Sequence, residues 1–312
     1  MECPKCSVKN IYTDGVVCRQ CSYRFGLDPN RPHNLTDIDY LRLVDRTSSS
    51  GRYYFTQNQL YLYYCMDKMP RNVMWPAAGI LAGSLGHYLI GPEGAAMGAI
   101  SAAGLVYYGT RSWRPPPRAV LDDLHDIMKT AGHPITRFLA KPLFEFRDEE
   151  KYTEHLPHPY DIQQIIVVDR NILVDLLVLN GFPKHSKSLV VSQSGYPNYV
   201  IPIAKELLKK RKSLAVYLLH DSTESRIAMK RNMADTAMLP TSGHSMFNLG
   251  LEPEQVVYMK HLDPIQPARS RYGVPLDSIP YPILETALTF CISHGVPLLT
   301  GFAANGFVRR IR

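Results

Sequence analysis

Residues 188–224 read SLVVSQSGYPNYVIPIAKELLKKRKSLAVYLLHDSTE, and this stretch decides the fold class. It contains two apolar runs, a Gly-Tyr-Pro turn after the first run, and a helical segment between the turn and the second run. Continuous runs of Val, Leu and Ile separated by helices are typical of a parallel sheet that is covered on both faces. The stretch therefore predicts a strand–helix–strand unit within an α/β fold.

The same alternation extends through residues 161–312, which we predict to form one α/β domain with a Rossmannoid parallel sheet. The predicted strands are IIVVD (165–169), SLVVS (188–192), LAVYLLHD (214–221), QVVYMK (255–260) and VPLLT (296–300). In such a sheet a ligand binds beyond the carboxyl ends of the strands. We therefore expect Asp169, Asp221 and the turn after the second strand to meet at one rim.

The order of these segments resembles the Toprim domain, and within that superfamily the A subunit of the type IIB topoisomerases and the related meiotic recombination nuclease. Those proteins carry a strand that ends in a glutamate, a turn similar to GKGYP, and a strand that ends in Asp-x-Asp followed by a glycine. The matching pieces here read IIVVDRNILVDLL, VVSQSGYPNYV and VYLLHDSTESR, and MFNLGLEPEQV resembles the segment after the Toprim core. The resemblance covers residues 162–262 and implies a Toprim-like fold.

The acids of the Toprim motifs hold Mg²⁺ for phosphodiester chemistry, and the resemblance implies the same cofactor here. Carboxylates suit this hard cation because it prefers oxygen ligands. Only Asp221 keeps a family acid outright. Four other motif positions differ from the family: Asp169 stands for its glutamate, Thr223 for its second acid, Ser194 for its turn lysine, and Arg226 for its glycine. The catalytic site is thus predicted to be degenerate.

A degenerate site predicts a binding protein rather than an enzyme. Backbone N–H groups and hydroxyls at a helix N-terminus suit a phosphate without any metal. We therefore expect the rim to bind nucleic acid or another phosphate-bearing ligand without cutting it. The residues expected to bind this ligand are Ser192, Ser194, Gly195 and Arg226.

The alternative function is a Mg²⁺-dependent Toprim nuclease. Its modified metal site would consist of Asp169, Asp221 and Glu224, with Glu224 replacing the missing second acid. Cleavage of a phosphodiester by such a site requires the carboxylates to lie close together.

Four of the six cysteines lie in the motifs CPKC and CRQC, as Cys3, Cys6, Cys18 and Cys21. Two such knuckles can place four thiolates around one tetrahedral Zn²⁺. Residues 1–27 are therefore predicted to form a zinc ribbon with a structural Zn²⁺, which serves as an interaction surface for a protein or nucleic-acid partner. A pair of redox motifs or disulfides is the alternative. Cys65 and Cys291 lie in apolar stretches and are predicted to be buried structural thiols.

Residues 73–110 are the longest stretch without Lys or Arg and contain two apolar legs separated by Gly91-Pro92-Glu93. Small residues recur four apart on both legs, aromatic residues lie near the ends, and basic residues flank the stretch. This pattern is typical of a transmembrane helical hairpin and predicts a membrane-associated protein with both termini in the cytoplasm. Each leg is short for a spanning helix, so a glycine-rich hairpin in a soluble cytoplasmic protein is the alternative.

Two segments connect these parts. Residues 28–72 are predicted to be a linker followed by an aromatic helix that Thr56 caps, and residues 111–160 a linker and helical segment. The formal net charge of +7 over 312 residues favours an anionic partner, either nucleic acid or an acidic membrane surface.

Overall fold

A computed structural model of the chain describes residues 1–11, 15–31, 33–68, 88, 91–93, 116–143, 153–222, 229, 239–256, 258, 259, 262 and 275–308. A parallel four-stranded sheet and an N-terminal cluster of four cysteines are both present, as the sequence predicts. Of the residues expected at the sheet rim, Thr223, Glu224 and Arg226 lie outside the described part of the chain.

The elements that precede the large sheet are mostly helical. In chain order they are α1 (Asp37–Thr47), β1 (Phe55–Thr56), α2 (Gln57–Lys68), α3 (Leu124–Thr130) and β2 (Phe138–Leu139). At the start of α1, Thr36 and Asp39 cap each other's backbone N–H groups. At the start of α2 the Thr56 hydroxyl accepts a hydrogen bond from the Gln59 N–H at 3.4 Å, which confirms the predicted cap. β1 and β2 pair in parallel.

We call α1, α2, α3 and the described residues that pack with them the helical module, because they share one hydrophobic core. The tyrosines of α2 contribute to this core, so packing accounts for part of the aromatic content of that helix. The buried side chains of the core are Leu27, Leu35, Tyr40, Leu43, Phe55, Leu60, Tyr64, Leu121, Leu124 and Met128.

The N-terminal four-cysteine segment contacts the helical module through Asp37, a buried acid in the first turn of α1. Its carboxylate accepts hydrogen bonds from the Tyr23 hydroxyl (3.0 Å) and from the backbone N–H groups of Gly26 (2.9 Å) and Leu27 (2.7 Å). The Tyr23 ring also stacks on His133, with ring centroids 4.0 Å apart. A helix N-terminus favours an acid at this position, so Asp37 is stabilised by both of the parts that it joins.

The α/β part of the chain is built on the four-stranded sheet, and every strand pair in it is parallel. The strand order is β4-β3-β5-β6. β3 and β4 are buried along their whole length, which explains their continuous apolar runs. The elements are β3 (Gln164–Val168), α4 (Asn171–Leu179), α5 (Phe182–Ser186), β4 (Ser188–Ser192), α6 (Ile201–Lys210), β5 (Ala215–Leu219), β6 (Met246–Asn248), α7 (Pro253–Val256), α8 (Tyr281–His294) and α9 (Leu298–Ala304).

The strand order creates a topological switch point between β3 and β5. From β3 the chain passes to β4 on one side, and it then returns to the other side of β3 to form β5. In open α/β sheets, ligands bind at such a point, outside the carboxyl ends of the strands. The first residues beyond these two strands are Asp169 and His220. The rim expected from the sequence therefore lies at the switch point.

Two of the predicted strands are wrong where the structure describes them. Residues 253–256 form the helix α7, and β6 lies earlier in the chain, where Tyr217 pairs with Phe247. Residues 298–304 form α9 instead of a strand. Gly295 adopts a left-handed conformation (φ 63°) that ends α8, and Pro297 then precedes a new helix rather than a sheet edge.

No single helix in the described ranges has both the length and the apolar character needed to cross a membrane. α8 and α9 meet these criteria only when taken together, and the chain bends by 112° between them. The hairpin predicted over residues 73–110 lies outside the described residues, apart from Tyr88 and residues 91–93.

Candidate metal centre and sheet rim

The four cysteines of the two knuckles form a compact sulfur cluster. Their Sγ atoms all lie within 4.8 Å of one another, with Cys3 and Cys21 3.4 Å apart and Cys6 and Cys18 3.6 Å apart. Four thiolates at about 2.3 Å from Zn²⁺ in a tetrahedron are separated by about 3.8 Å, so the donor set and its size fit this metal. All six cysteines of the chain are free thiols, which disfavours the disulfide alternative.

The two knuckles repeat the same local backbone. Each motif is followed by a serine in the left-handed region, Ser7 at φ 59° and Ser22 at φ 58°. The Ser7 N–H donates to the carbonyl of Cys3 at 2.8 Å, and the Ser22 N–H donates to that of Cys18 at 3.1 Å. The cluster is thus built by two equivalent turns that face each other.

Asn10 joins the two knuckles, although the sequence analysis does not identify it. Its side chain is buried, its Oδ1 accepts from the Arg19 N–H at 3.1 Å, and its Nδ2 donates to the carbonyl of Val8 at 3.0 Å. Nδ2 also lies 3.5 Å from the sulfur of Cys18. Groups that hydrogen-bond to metal ligands orient those ligands and tune the metal. In the sequence, Asn10 is one of several polar residues between the two motifs, and only its burial in the folded protein distinguishes it.

The pKa values of the Cys6 and Cys18 thiols are shifted in opposite directions. The Cys21 N–H lowers the pKa of Cys18, and although burial opposes this effect, the Asn10 amide helps to bring that pKa to about 6. The Val8 N–H lowers the pKa of Cys6, but burial and the neighbouring thiols outweigh it and raise that pKa to about 12. Because zinc binds thiolates, metal binding at this site releases protons.

Cys65 and Cys291 are buried, as predicted; Cys65 lies on α2, and Cys291 belongs to the core of the α/β part. Burial raises the pKa of each thiol to about 11. Both therefore remain protonated at neutral pH and are poor nucleophiles.

At the sheet rim, the structure brings Asp169 and Asp221 together at the switch point. Their relative exposures are 4% and 5%, and the Asp221 N–H donates to Asp169 Oδ2 at 2.8 Å. Two acids from distant segments thus share one site, as the sequence predicts. The site also contains two residues that the sequence analysis does not identify, Arg170 and Asp277.

Arg170 places its guanidinium among three carboxylates. Its Nε lies 2.9 Å from Asp221 Oδ2 and 4.0 Å from Asp169 Oδ1, and its Nη2 pairs with Asp277 Oδ1. Nη2 also donates to Asp221 Oδ1 at 3.1 Å. The four side chains carry a formal charge of −2 when all are ionised. A fixed protein cation therefore lies beside Asp169 and Asp221, the two described acids of the predicted Mg²⁺ site.

Asp277 connects this site to the helical module. Both of its carboxylate oxygens accept from the Asn58 side-chain amide at 2.8 Å, and its backbone carbonyl accepts from the Thr56 hydroxyl at 2.7 Å. Asn58 and Thr56 lie at the N-terminal end of α2. The backbone N–H of Leu276 in turn donates to Asp221 Oδ1 at 2.6 Å. We call Asn58, Asp169, Arg170, Asp221 and Asp277 the ionic clasp.

Burial and charge shape the protonation of the ionic clasp. Burial raises the pKa of Asp221 to about 7, although Arg170 opposes the change, and the neighbouring Asp169 adds to the rise. Burial by itself lowers the pKa of Arg170, but Asp277 and Asp221 outweigh it and raise that pKa. The guanidinium therefore stays charged while Asp221 titrates near neutral pH.

The turn after β4 uses most of its donors within the protein. The N–H of Gln193 donates to Val168 O, that of Gly195 to Ser192 O, and that of Tyr196 to the Ser192 hydroxyl.

Ser194 is the exposed polar residue of this turn. Its hydroxyl lies 2.7 Å from that of Ser192 and donates to Asn171 Oδ1 at 2.8 Å. A ligand at the turn would therefore meet Ser194 first.

Comparison of the chain with models of protein families, with curated proteins and with solved structures found no match.

Proposed function

We propose that this protein is a zinc-ribbon scaffold whose Toprim-like domain acts by binding rather than by phosphodiester cleavage. The position of Arg170 among Asp169, Asp221 and Asp277 carries the proposal. Mg²⁺ requires carboxylate oxygens and several waters in a near-octahedral shell. In the ionic clasp, the guanidinium and the Asn58 amide instead occupy carboxylate oxygens of Asp221 and Asp277.

The four-cysteine cluster supports a structural role for Zn²⁺. Its four thiol ligands leave no open position for substrate, which is typical of structural rather than catalytic zinc. The docking of the ribbon through Asp37 extends the effect of the metal into the helical module. A protein partner at the ribbon is our proposal for its role, and the exposed apolar side chains of Ile11, Val16 and Val17 support it.

A phosphate-bearing ligand or nucleic acid remains our proposed ligand for the α/β domain. The net charge of +7 and the exposed hydroxyl of Ser194 support it. The negative formal charge of the ionic clasp disfavours a phosphate directly on Arg170. We therefore propose that the ligand binds on the β4 side of the rim, at Ser194 and Gly195, together with Arg226.

The membrane tether over residues 73–110 is likewise a proposal, with both termini in the cytoplasm. The Tyr61 hydroxyl of α2 donates to the carbonyl of Pro116 at 2.6 Å, so the chain returns to α2 after the apolar stretch. Lys68 ends the same helix seven residues later, which corresponds to about 10 Å. The described residues on either side of the apolar stretch, Lys68 and Pro116, therefore both lie at α2, which supports a chain that turns back on itself.

A Mg²⁺-dependent nuclease is the second candidate, and the approach of Asp169 to Asp221 favours it. The deciding experiment incubates the purified full chain with supercoiled plasmid in Mg²⁺ or Mn²⁺, beside the variants Asp221→Asn and Arg170→Met. We expect no cleavage by any of the three proteins. Cleavage by the wild-type chain that Asp221→Asn abolishes would overturn the scaffold proposal.

A further inference from the structure

A charged groove of about 390 Å³ lies between α1 and α2 at the end of α2 that precedes the apolar stretch. Lys68 lines it and is the last residue of α2, and the predicted hairpin begins at residue 73. The groove lies on the helical module and not at the sheet rim. It is lined by Leu35, Asp39, Arg42, Leu43, Arg46, Tyr64, Asp67 and Lys68.

The two acids of this groove are already used by the protein. The carboxylate of Asp39 accepts from the Thr36 hydroxyl at 2.6 Å and from the Thr36 N–H at 3.2 Å, as part of the α1 cap. The carboxylate of Asp67 pairs with Arg46. Asp39 keeps its charge because its partners are neutral, so the three cations and two acids of the groove leave a formal charge of +1.

Among the residues that the structure describes, two cations of the groove have only neutral partners or none. Lys68 Nζ donates to the backbone carbonyl of Asn34 at 3.0 Å and lies 5.7 Å from the ring centre of Tyr64. Arg42 is exposed and forms no ion pair with any residue that the structure describes. A guanidinium and an ammonium that line one groove offer several donors to a phosphate.

The position of the groove favours a lipid headgroup as the source of the phosphate. Lys68 and the Tyr61–Pro116 contact mark the two ends of the segment that contains the apolar stretch. If that stretch enters a bilayer, the lipid headgroups lie beside Lys68. Leu43 and Tyr64 lie at the base of the groove but are buried, so Arg42 and Lys68 provide the groups that a ligand would contact. An anionic lipid headgroup fits these two cations at this position.

We propose that the α1–α2 groove binds the phosphate headgroup of an anionic lipid through Arg42 and Lys68. This inference rests on the proposed membrane hairpin and deepens it, because the headgroup contact would fix how the helical module lies on the membrane surface. Basic side chains near an anionic leaflet each strengthen binding about fivefold.

The test uses the full chain reconstituted with vesicles of phosphatidylcholine alone or mixed with phosphatidylglycerol. Insertion is measured as the alkali-resistant bound fraction, and headgroup binding as the affinity ratio between mixed and zwitterionic vesicles. The variant Arg42→Gln/Lys68→Gln should insert as the wild type does and lose about 25-fold of that ratio. Lys209→Gln/Lys212→Gln, which removes two exposed charges from the α/β part, is the matched control and should lose far less.

Two further arms complete the test. Arg42→Lys/Lys68→Arg keeps both charges and should retain most of the preference for anionic vesicles. An unchanged affinity ratio in Arg42→Gln/Lys68→Gln would contradict headgroup binding at the groove. If the wild type is released by alkali but still prefers anionic vesicles, the membrane hairpin is contradicted while headgroup binding at the groove is not. Inorganic phosphate that raises the melting temperature of the wild type alone, without any vesicle preference, would overturn the lipid as the source of the phosphate.

Discussion

Arg170 and Asp221 follow two neighbouring parallel strands, and their side chains form an ion pair with 2.9 Å between Nε and Oδ2. The pair lies at the switch point of the sheet, where a ligand site is expected. Through Asp277 and Asn58 the same contacts reach α2. The rim of the sheet therefore serves as a joint between the α/β part and the helical module.

Removal of the Arg170 charge should destabilise the whole protein. Arg170→Met leaves three buried carboxylates without their cation, and breaking a buried ion pair from one side costs about 3–5 kcal/mol. Urea denaturation measures the free energy of unfolding. Arg46→Met, which removes the exposed partner of Asp67, is the control and should cost about 1 kcal/mol or less. Equal losses in the free energy of unfolding for Arg170→Met and Arg46→Met would contradict a stabilising role of the ionic clasp.

Asp221 should make stability depend on pH between about 4 and 7. Its pKa is raised to about 7 in the folded protein from 3.8, so the folded state holds this proton more tightly than the unfolded state does. The stabilising contribution is complete below the unfolded value and is lost as pH rises through about 7. The free energy of unfolding of the wild type minus that of Asp221→Asn should therefore fall as pH rises over this window, because only the wild type loses the bound proton. The exposed Asp161→Asn is the control, and a difference that grows with pH would contradict the assignment.

The purified protein should contain about one zinc ion per chain, because the four thiolates form a closed site. Cys18→Ser should lose this metal, as measured by elemental analysis. Asn10→Ala should keep the ligands but bind zinc about 10–100-fold more weakly, in competition with a chromogenic chelator. Asn30→Ala, an exposed asparagine outside the knuckles, is the control. Undiminished zinc in Cys18→Ser would disprove the site.

Asp37→Ala should uncouple the ribbon from the helical module without removing the metal. The substitution deletes the acceptor of three hydrogen bonds, and bonds to a charged group contribute about 1.5–3 kcal/mol each before compensation. Hydrogen exchange at the Gly26 and Leu27 amides should speed up while the zinc content stays constant. Unchanged protection of these amides would show that other contacts hold the ribbon.

The full chain should remain with the membrane fraction after washes with high salt and with alkali. Burial of apolar legs, rather than charge, would hold it there. The measurement is the fraction of protein in the pellet after each wash. Release by salt alone would indicate a peripheral or soluble hairpin.

The sequence predicts β3, β4 and β5 because strands buried on both faces need continuous apolar runs. It misses β6 because Met246 and Phe247 are half-buried and the strand is only three residues long. The zinc ligands are predictable because their spacing is local.

The ionic clasp is less predictable because its members are distant in the chain. Arg170 directly follows Asp169, and such a pair is indistinguishable in sequence from solvated surface charge. Asp277 lies 107 residues beyond Arg170 and belongs to no motif. Asn58 is more distant still, 219 residues from Asp277. Only the folded chain brings these residues to one point.

The length of α2 has a further consequence for the geometry of the protein. Its N-terminal end holds the ionic clasp, and its C-terminal end is Lys68, where the apolar stretch approaches. Twelve helical residues span about 18 Å. If the hairpin anchors the chain, α2 is a rigid spacer of about 18 Å between the ionic clasp and Lys68, the last described residue before the apolar stretch. A partner that occupies the rim then binds at a site whose distance from Lys68 is fixed by a helix and not by a flexible linker.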